Sequence, residues 1–223
     1  MKVKLISYSR PSDEVIQDGL TNVQDLVAFC ARVSNPSNQY NTETSEKLIN
    51  YLIKHKHWSP LEMVSVCMEI ETTRDIARQI LRHRSFSFQE FSQRYADPTK
   101  DLDFEVREAR LQDPKNRQNS VREGVDLMVS KQWNDIQHEM IEQAKIAYAW
   151  AIKNGIAKEQ ARSVLPEGLT MSRMYMNGTL RSWVHYCELR TENGTQKEHA
   201  EIAKEIAKVI SEIFPIINTI SYK

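Results

Sequence analysis

The stretch that most restricts the fold is EMVSVCMEIE, residues 62 to 71, where Val64, Val66, Met68 and Ile70 alternate with Ser65, Cys67, Glu69 and Glu71. Period two over this length predicts a strand with one face in a core and the other in water. A chain containing it needs a sheet, and something apolar must cover one side of that sheet. Thr72 and Asp75 then have the spacing of a capping box for a helix over TRDIARQILRHR, with Ile76, Ala77 and Ile80 facing inward and Arg74, Arg78 and Arg82 opposite.

Helical spacing recurs elsewhere. It predicts a helix in TNVQDLVAFCARVS behind a Thr21 cap, another near SEKLINYLIKHKH, and a long one from about Arg122 to Asn154 ending at Gly155. Unbroken, the long helix would measure roughly 45 to 50 Å. AKEQARSVLP reads as a short helix stopped by Pro166, and GLTMSRMYMNG as a strand. Thr179 is placed to cap LRSWVHYCELR, and Thr195 with Glu198 to box a final helix. VKLISYS reads as an opening strand. Residues 97 to 121 are polar, hold two prolines and predict a mobile excursion. The expectation is a single domain over 1–223 of α+β class, with a central antiparallel or mixed sheet flanked by long helices.

Composition narrows the function. Lysine plus arginine total 30 and aspartate plus glutamate total 30, so no global field draws the chain onto a polyanion. Cys30, Cys67 and Cys187 are odd in number and widely spaced, which argues against disulfides and structural zinc and fits a cytoplasmic protein. The six histidines form no metal-binding motif, so no metal is expected. No apolar run approaches the ~18 residues of a membrane span, and none of GxGxxG, GxxxxGK[ST] or GxSxG occurs.

Charge is concentrated locally. Arg74, Arg78, Arg82, Arg84 and Arg94 stand against only Asp75 and Glu90 between residues 74 and 94, with no lysine. Arginine's planar fork grips phosphates and carbonyl edges bidentately and stacks on rings, so this choice points to geometric recognition. RHRSFSFQEFSQRY, residues 82 to 95, suits either of two ligands. One is a single-stranded nucleic acid stacked on Phe86 and Phe88 between Arg82 and Arg94. The other is a nucleotide held beside a flat cofactor.

The same stretch resembles the signature RHRxxSxNxxSxR of flavin-dependent thymidylate synthases. Arg82, His83, Arg84, Ser87, Ser92 and Arg94 match, and Gln89 stands where the signature has asparagine. HWSPLE, with His57, Ser59 and Glu62, ARSVLP with Arg162, and GTLRSWVHYCELR ending at Arg190 are similar to further family segments in the same order. Thr179 stands where many members have asparagine, with Asn177 two residues earlier, and Gly194 where some have histidine.

The resemblance implies methylation of deoxyuridylate (dUMP) to thymidylate, with methylenetetrahydrofolate as one-carbon donor and FAD recharged by NADPH. It implies a homotetramer with active sites between subunits. The zero net charge and the lack of a long apolar run lead to the expectation of neither nucleic acid nor membrane as partner. Ser59, Arg82, His83, Arg84, Glu90, Thr179, Arg181 and His185 would contact the flavin. Gln79, Arg82, Glu90, Phe91, Ser92, Gln93, Arg94, Arg162 and Arg190 would hold dUMP. Arg190 is the expected catalytic cation, stabilising charge that develops on the uracil ring. The three cysteines are expected to be structural.

Overall fold

The computed structural model describes residues 1–215 and 217. Its elements run β1 (Lys2–Tyr8), α1 (Asp13–Gln17), α2 (Val23–Ala31), α3 (Ser45–Lys54), β2 (Ser65–Thr73), α4 (Arg74–Ile80), β3 (Ser87–Glu90), α5 (Pro98–Asp101), β4 (Leu111–Gln112), β5 (Ser120–Val121), α6 (Leu127–Lys153), α7 (Lys158–Ala161), β6 (Met171–Thr179), α8 (Leu180–Thr191) and α9 (Lys197–Ser211). A short 3-10 segment, Ser59–Met63, precedes β2.

The alternating stretch is β2, and it sits inside a four-stranded sheet of order β1-β2-β6-β3. All three pairings are antiparallel, so the sheet is antiparallel and not mixed. Val66, Met68 and Ile70 of β2 and Met174 and Met176 of β6 are fully buried. They pack in one core with Ile76 and Ile80 of α4, Trp183 and Val184 of α8, and Ile202 and Ile206 of α9. Burying each such side chain contributes about 1.5–3 kcal/mol, so this face anchors the fold. The other face carries the charged positions in register. Glu71 lies opposite both Lys2 and Arg173, and Glu69 opposite both Lys4 and Tyr175.

Gly178 lets the outer strand close on this core. A Cβ there would come within 2.4 Å of the Phe86 ring, which itself packs edge-on against Trp183 with centroids 4.7 Å apart. Only a hydrogen allows Phe86 to lie flat against the end of β6.

Helix ends differ from the sequence reading in instructive ways. Asn22, not Thr21, caps α2, accepting from the Asp25 backbone N–H at 2.9 Å. The long helix starts at Leu127 and not near Arg122, because Asp126 caps it through the N–H groups of Met128 and Val129. Its C-terminus closes at Gly155 (φ +78°), with Gly155 N–H to Ile152 O and Ile156 N–H to Ala151 O. Thr179 caps α8 as expected, accepting from the Ser182 N–H.

The other two expected boxes do not form. Thr72 is buried on the strand and α4 begins after Thr73, while Gln196 precedes α9 without a side-chain cap bond. Each helix begins one residue later than its box requires, with Thr73 and Gln196 at the N-cap, and both acids instead pair with Arg107, Asp75 at 2.8 Å and Glu198 at 2.9 Å.

Arg107 also shows what happens where mobility is expected. Residues 97 to 121 form α5, a bridge from Phe104 to Thr170 and the β4–β5 hairpin. The buried Gln137 of α6 grips the Arg107 backbone on both sides, accepting from its N–H (2.7 Å) and donating to its carbonyl (2.9 Å). Arg110 adds an ion pair to Glu198. Polar anchors from α4, α6 and α9 take the place of an apolar face.

Candidate active site

The expected site residues fall into three groups, carried mostly by the β2–α4–β3 and β6–α8 units, with Ser59 from the 3-10 segment before β2 and Arg162 from the turn after α7. The first lies under the RHR segment. His83 follows α4 and is half-buried against Tyr186, with ring centroids 4.8 Å apart. Arg190, in the last turn of α8, donates from Nε to His83 Nε2 at 2.9 Å. Burial and then the Arg190 charge lower the His83 pKa to about 4, so the ring is neutral near pH 7 with Nε2 free to accept. Gln79 of α4 sits beside this pair, bonded to Gln196 at 2.8 Å and to His199 at 3.2 Å.

The second group is a cationic bay. Arg94 reaches Glu159 of α7 at 3.3 Å, and Arg162 donates to the Glu159 carbonyl at 3.3 Å. Arg74 pairs with Glu90 at 3.7 Å, and Ser172 donates to the same carboxylate at 2.8 Å. The Arg74 side chain is mostly buried, and burial is the leading cause that lowers its pKa. Arg78 bonds Glu167 at 2.8 Å.

Ser92 opens a turn in this group, its carbonyl accepting from the Tyr95 and Ala96 N–H groups. Phe91 extends the β3 pairing through its N–H to Arg173 O. Gln93 is 3 % exposed and its amide nitrogen is buried without a protein partner, a donor in place for a group from outside the chain.

The third group flanks the start of α8. Arg181 pairs with Glu62, the exposed His185 stands edge-on to Trp58 at 4.6 Å, and Ser59 is exposed at the start of the 3-10 segment. Thr179 spends its hydroxyl on the helix cap. Arg82 and Arg84 are exposed, and neither has an acid within ion-pair reach among the described residues. Two unneutralised guanidiniums, an imidazole face and the exposed Ser59 hydroxyl fit an anionic, flat cofactor such as a flavin dinucleotide.

The stacking platform that a single-stranded nucleic acid would need is not there. Phe86 and Phe88 turn inward and pack against the core, and the exposed positions of β3 are Ser87 and Gln89. Within one chain no side-chain contact among the described residues joins Arg190 to Arg94 or Arg162.

Sequence reasoning missed the partners. Glu159 and Glu167 belong to no motif. His199 occupies the apolar stripe of α9 with Ile202, Ala203 and Ile206, and a histidine at that spacing is the one visible sign of a buried polar contact.

The fold is an antiparallel four-stranded sheet covered on one face by helices, with its arginine-rich segments grouped around α4, β3 and α8 and no glycine-rich phosphate loop. Residues 15–216 match the family described as thymidylate synthase complementing protein, and the chain belongs to that family. It is 47% identical over 218 residues to the flavin-dependent thymidylate synthase of Synechocystis sp., covering 97% of each chain. It is 45% identical over 217 residues to a Paramecium bursaria Chlorella virus 1 protein named "Probable flavin-dependent thymidylate synthase", again 97% of each. Among solved structures it resembles the UMP/dUMP methylase PolB from Streptomyces cacaoi bound with 5-Br UMP, with TM-score 0.80, 25% identity and coverage of 98% of this chain and 92% of that one.

Proposed function

We propose that the protein is a flavin-dependent thymidylate synthase that methylates dUMP. The observation that carries the reading is Arg190 held against a neutral His83 beside the RHR signature. Because His83 accepts the Nε hydrogen, the guanidinium is turned so that its two terminal nitrogens remain for another ligand. A permanent cation there stabilises enolate-like charge on the uracil carbonyl while C5 attacks the one-carbon unit. Arg94, Arg162 and the Ser92 hydroxyl suit the phosphate, with Glu90, Phe91 and Gln93 around them.

Arg82, Arg84, Arg181, Ser59 and His185 suit the flavin, which we take to be FAD. When bound, the flavin supplies the hydride that completes the methyl group. Methylenetetrahydrofolate is the proposed carbon donor and NADPH the reductant. No thiol is offered as a nucleophile, since burial raises the pKa of Cys30, Cys67 and Cys187. Three unpaired thiols also suit a cytoplasmic protein.

We further read residues 1–223 as one domain that assembles as a homotetramer. The support is α6, which bares Val129, Trp133, Ile136, Met140 and Trp150 along one side, a stripe that a second copy would cover. A neighbouring protomer would also supply the meeting of Arg190 with the cationic bay.

Purified protein should be yellow, should bleach with NADPH, and should release tritium from C5-labelled dUMP only with methylenetetrahydrofolate present. Colourless protein that shifts oligonucleotides in a salt-dependent way would overturn the reading.

A further inference from the structure

The polar residues beneath the RHR segment form one directed chain of hydrogen bonds. At its far end Glu198 is buried, and its carboxylate receives Arg107 at 2.9 Å and also Arg110. A carboxylate offers only lone pairs, so Gln196 must turn its amide nitrogen toward it, and Nε2 donates at 3.0 Å. Gln196 Oε1 is then the acceptor on the other side, and Gln79 Nε2 donates to it at 2.8 Å. Gln79 is left presenting Oε1 to His199 Nδ1, 3.2 Å away, and an amide oxygen can only accept, so Nδ1 carries the proton. His199 Nε2 is therefore bare and takes the Tyr186 hydroxyl at 3.0 Å. The charge at one end dictates the polarity of every later bond.

We propose that this chain is a positioning device: the Glu198 carboxylate, anchored by Arg107 and Arg110 of the polar excursion, fixes through Gln196 the direction in which Gln79 offers its amide to the nucleotide, and His199 holds the Gln79 oxygen from the other side. The inference rests on the reading of Gln79 as a dUMP contact. With two amide bonds committed, Gln79 keeps one hydrogen and one lone pair for a ligand. That pair complements a partner offering both an acceptor and a donor, as the edge of a uracil ring does.

Two observations favour direction over mere satisfaction of buried groups. Glu198 is diverted from capping α9, and Thr195 bonds the Leu189 carbonyl instead, so the acid is committed to the chain and not to its own helix. His199 is fully buried, and burial followed by the Arg190 and His83 charges lowers its pKa to about 3, which keeps the Nδ1–H form intact through the neutral range.

The test is dUMP binding to the flavin-loaded protein, with turnover measured alongside. Gln196→Leu, at a half-exposed position, breaks the chain without emptying the core. It is expected to weaken dUMP binding about five- to tenfold, the size of one lost hydrogen bond, with kcat within about twofold. His199→Leu should do the same, while His199→Asn, whose amide nitrogen replaces the Nδ1 donor, should bind within about twofold of the parent. In a Gln79→Ala background, Gln196→Leu should add nothing.

Nitrogen-15 NMR of the unmodified protein should find the His199 proton on Nδ1. A proton on Nε2, an unchanged Kd in Gln196→Leu, or full additivity with Gln79→Ala would overturn the device and leave the thymidylate synthase reading standing. Parent protein that does not bind dUMP at all would overturn both.

Discussion

Arg190 and His83, 107 residues apart in the chain, meet at 2.9 Å with the guanidinium donating and the imidazole accepting. The bond needs a neutral ring, and burial together with the arginine's own charge enforces one. The cation is thereby aimed without being neutralised, which no carboxylate partner could achieve.

Arg190→Lys should show the value of that aim. An ammonium cannot both bond His83 and keep two parallel donors for a carbonyl edge. We expect kcat to fall about a hundredfold with flavin content unchanged. A fall of less than threefold in steady-state turnover would mean that Arg190 is not the stabilising cation.

Acid should destabilise the fold before the carboxylates titrate. His83 and His199 have ordinary values of 6.5 and are lowered to about 4 and about 3. Below pH 6.5 the unfolded chain takes up protons that the folded chain refuses, so stability present above 6.5 drains away as pH falls toward 4. Urea midpoints at pH 7 and pH 5 measure this, and His199→Asn should flatten the difference. Equal midpoints for the parent protein would contradict the buried, neutral state of both rings.

Gly178→Ala should lower stability by about 1–3 kcal/mol, because the new methyl would meet the Phe86 ring at 2.4 Å. Shortening the neighbour in Phe86→Leu should return part of the loss. Urea unfolding of the single and double variants checks this, and a neutral single variant would show that the ring can swing aside freely.

The cysteines should be dispensable for chemistry. A folded Cys30→Ser, Cys67→Ser, Cys187→Ser triple variant should keep its turnover, at some cost in stability because Cys187 is fully buried and bonds the Ala203 carbonyl at 3.6 Å. Inactive protein that retains flavin would argue for a thiol nucleophile.

Much of the fold is legible in local patterns. The period-two run at Val64, Val66, Met68 and Ile70 marks β2, and the stripe of Ile202, Ala203 and Ile206 marks α9, because each pattern records a single covered face. The 97–121 excursion has no such pattern, since its anchors are Asp75, Gln137 and Glu198, far away in sequence. Both false capping boxes miss the helix start by one residue, and local spacing cannot reveal that their acids pair with Arg107.

The site divides in the same way. Arg82, His83, Arg94, Arg162 and Arg190 stand out by motif, whereas Glu159, Gln196 and His199 earn their places only through contacts across the chain.

The indole side chains are unevenly distributed, and the protein should report on its own assembly because of it. Trp183 is fully buried, while Trp133 and Trp150 are 42% and 61% exposed on the 27-residue helix α6. Emission from those two should shift toward blue whenever copies associate through that helix and back toward red on dilution. The natural light of the protein thus becomes a label-free gauge of its quaternary state.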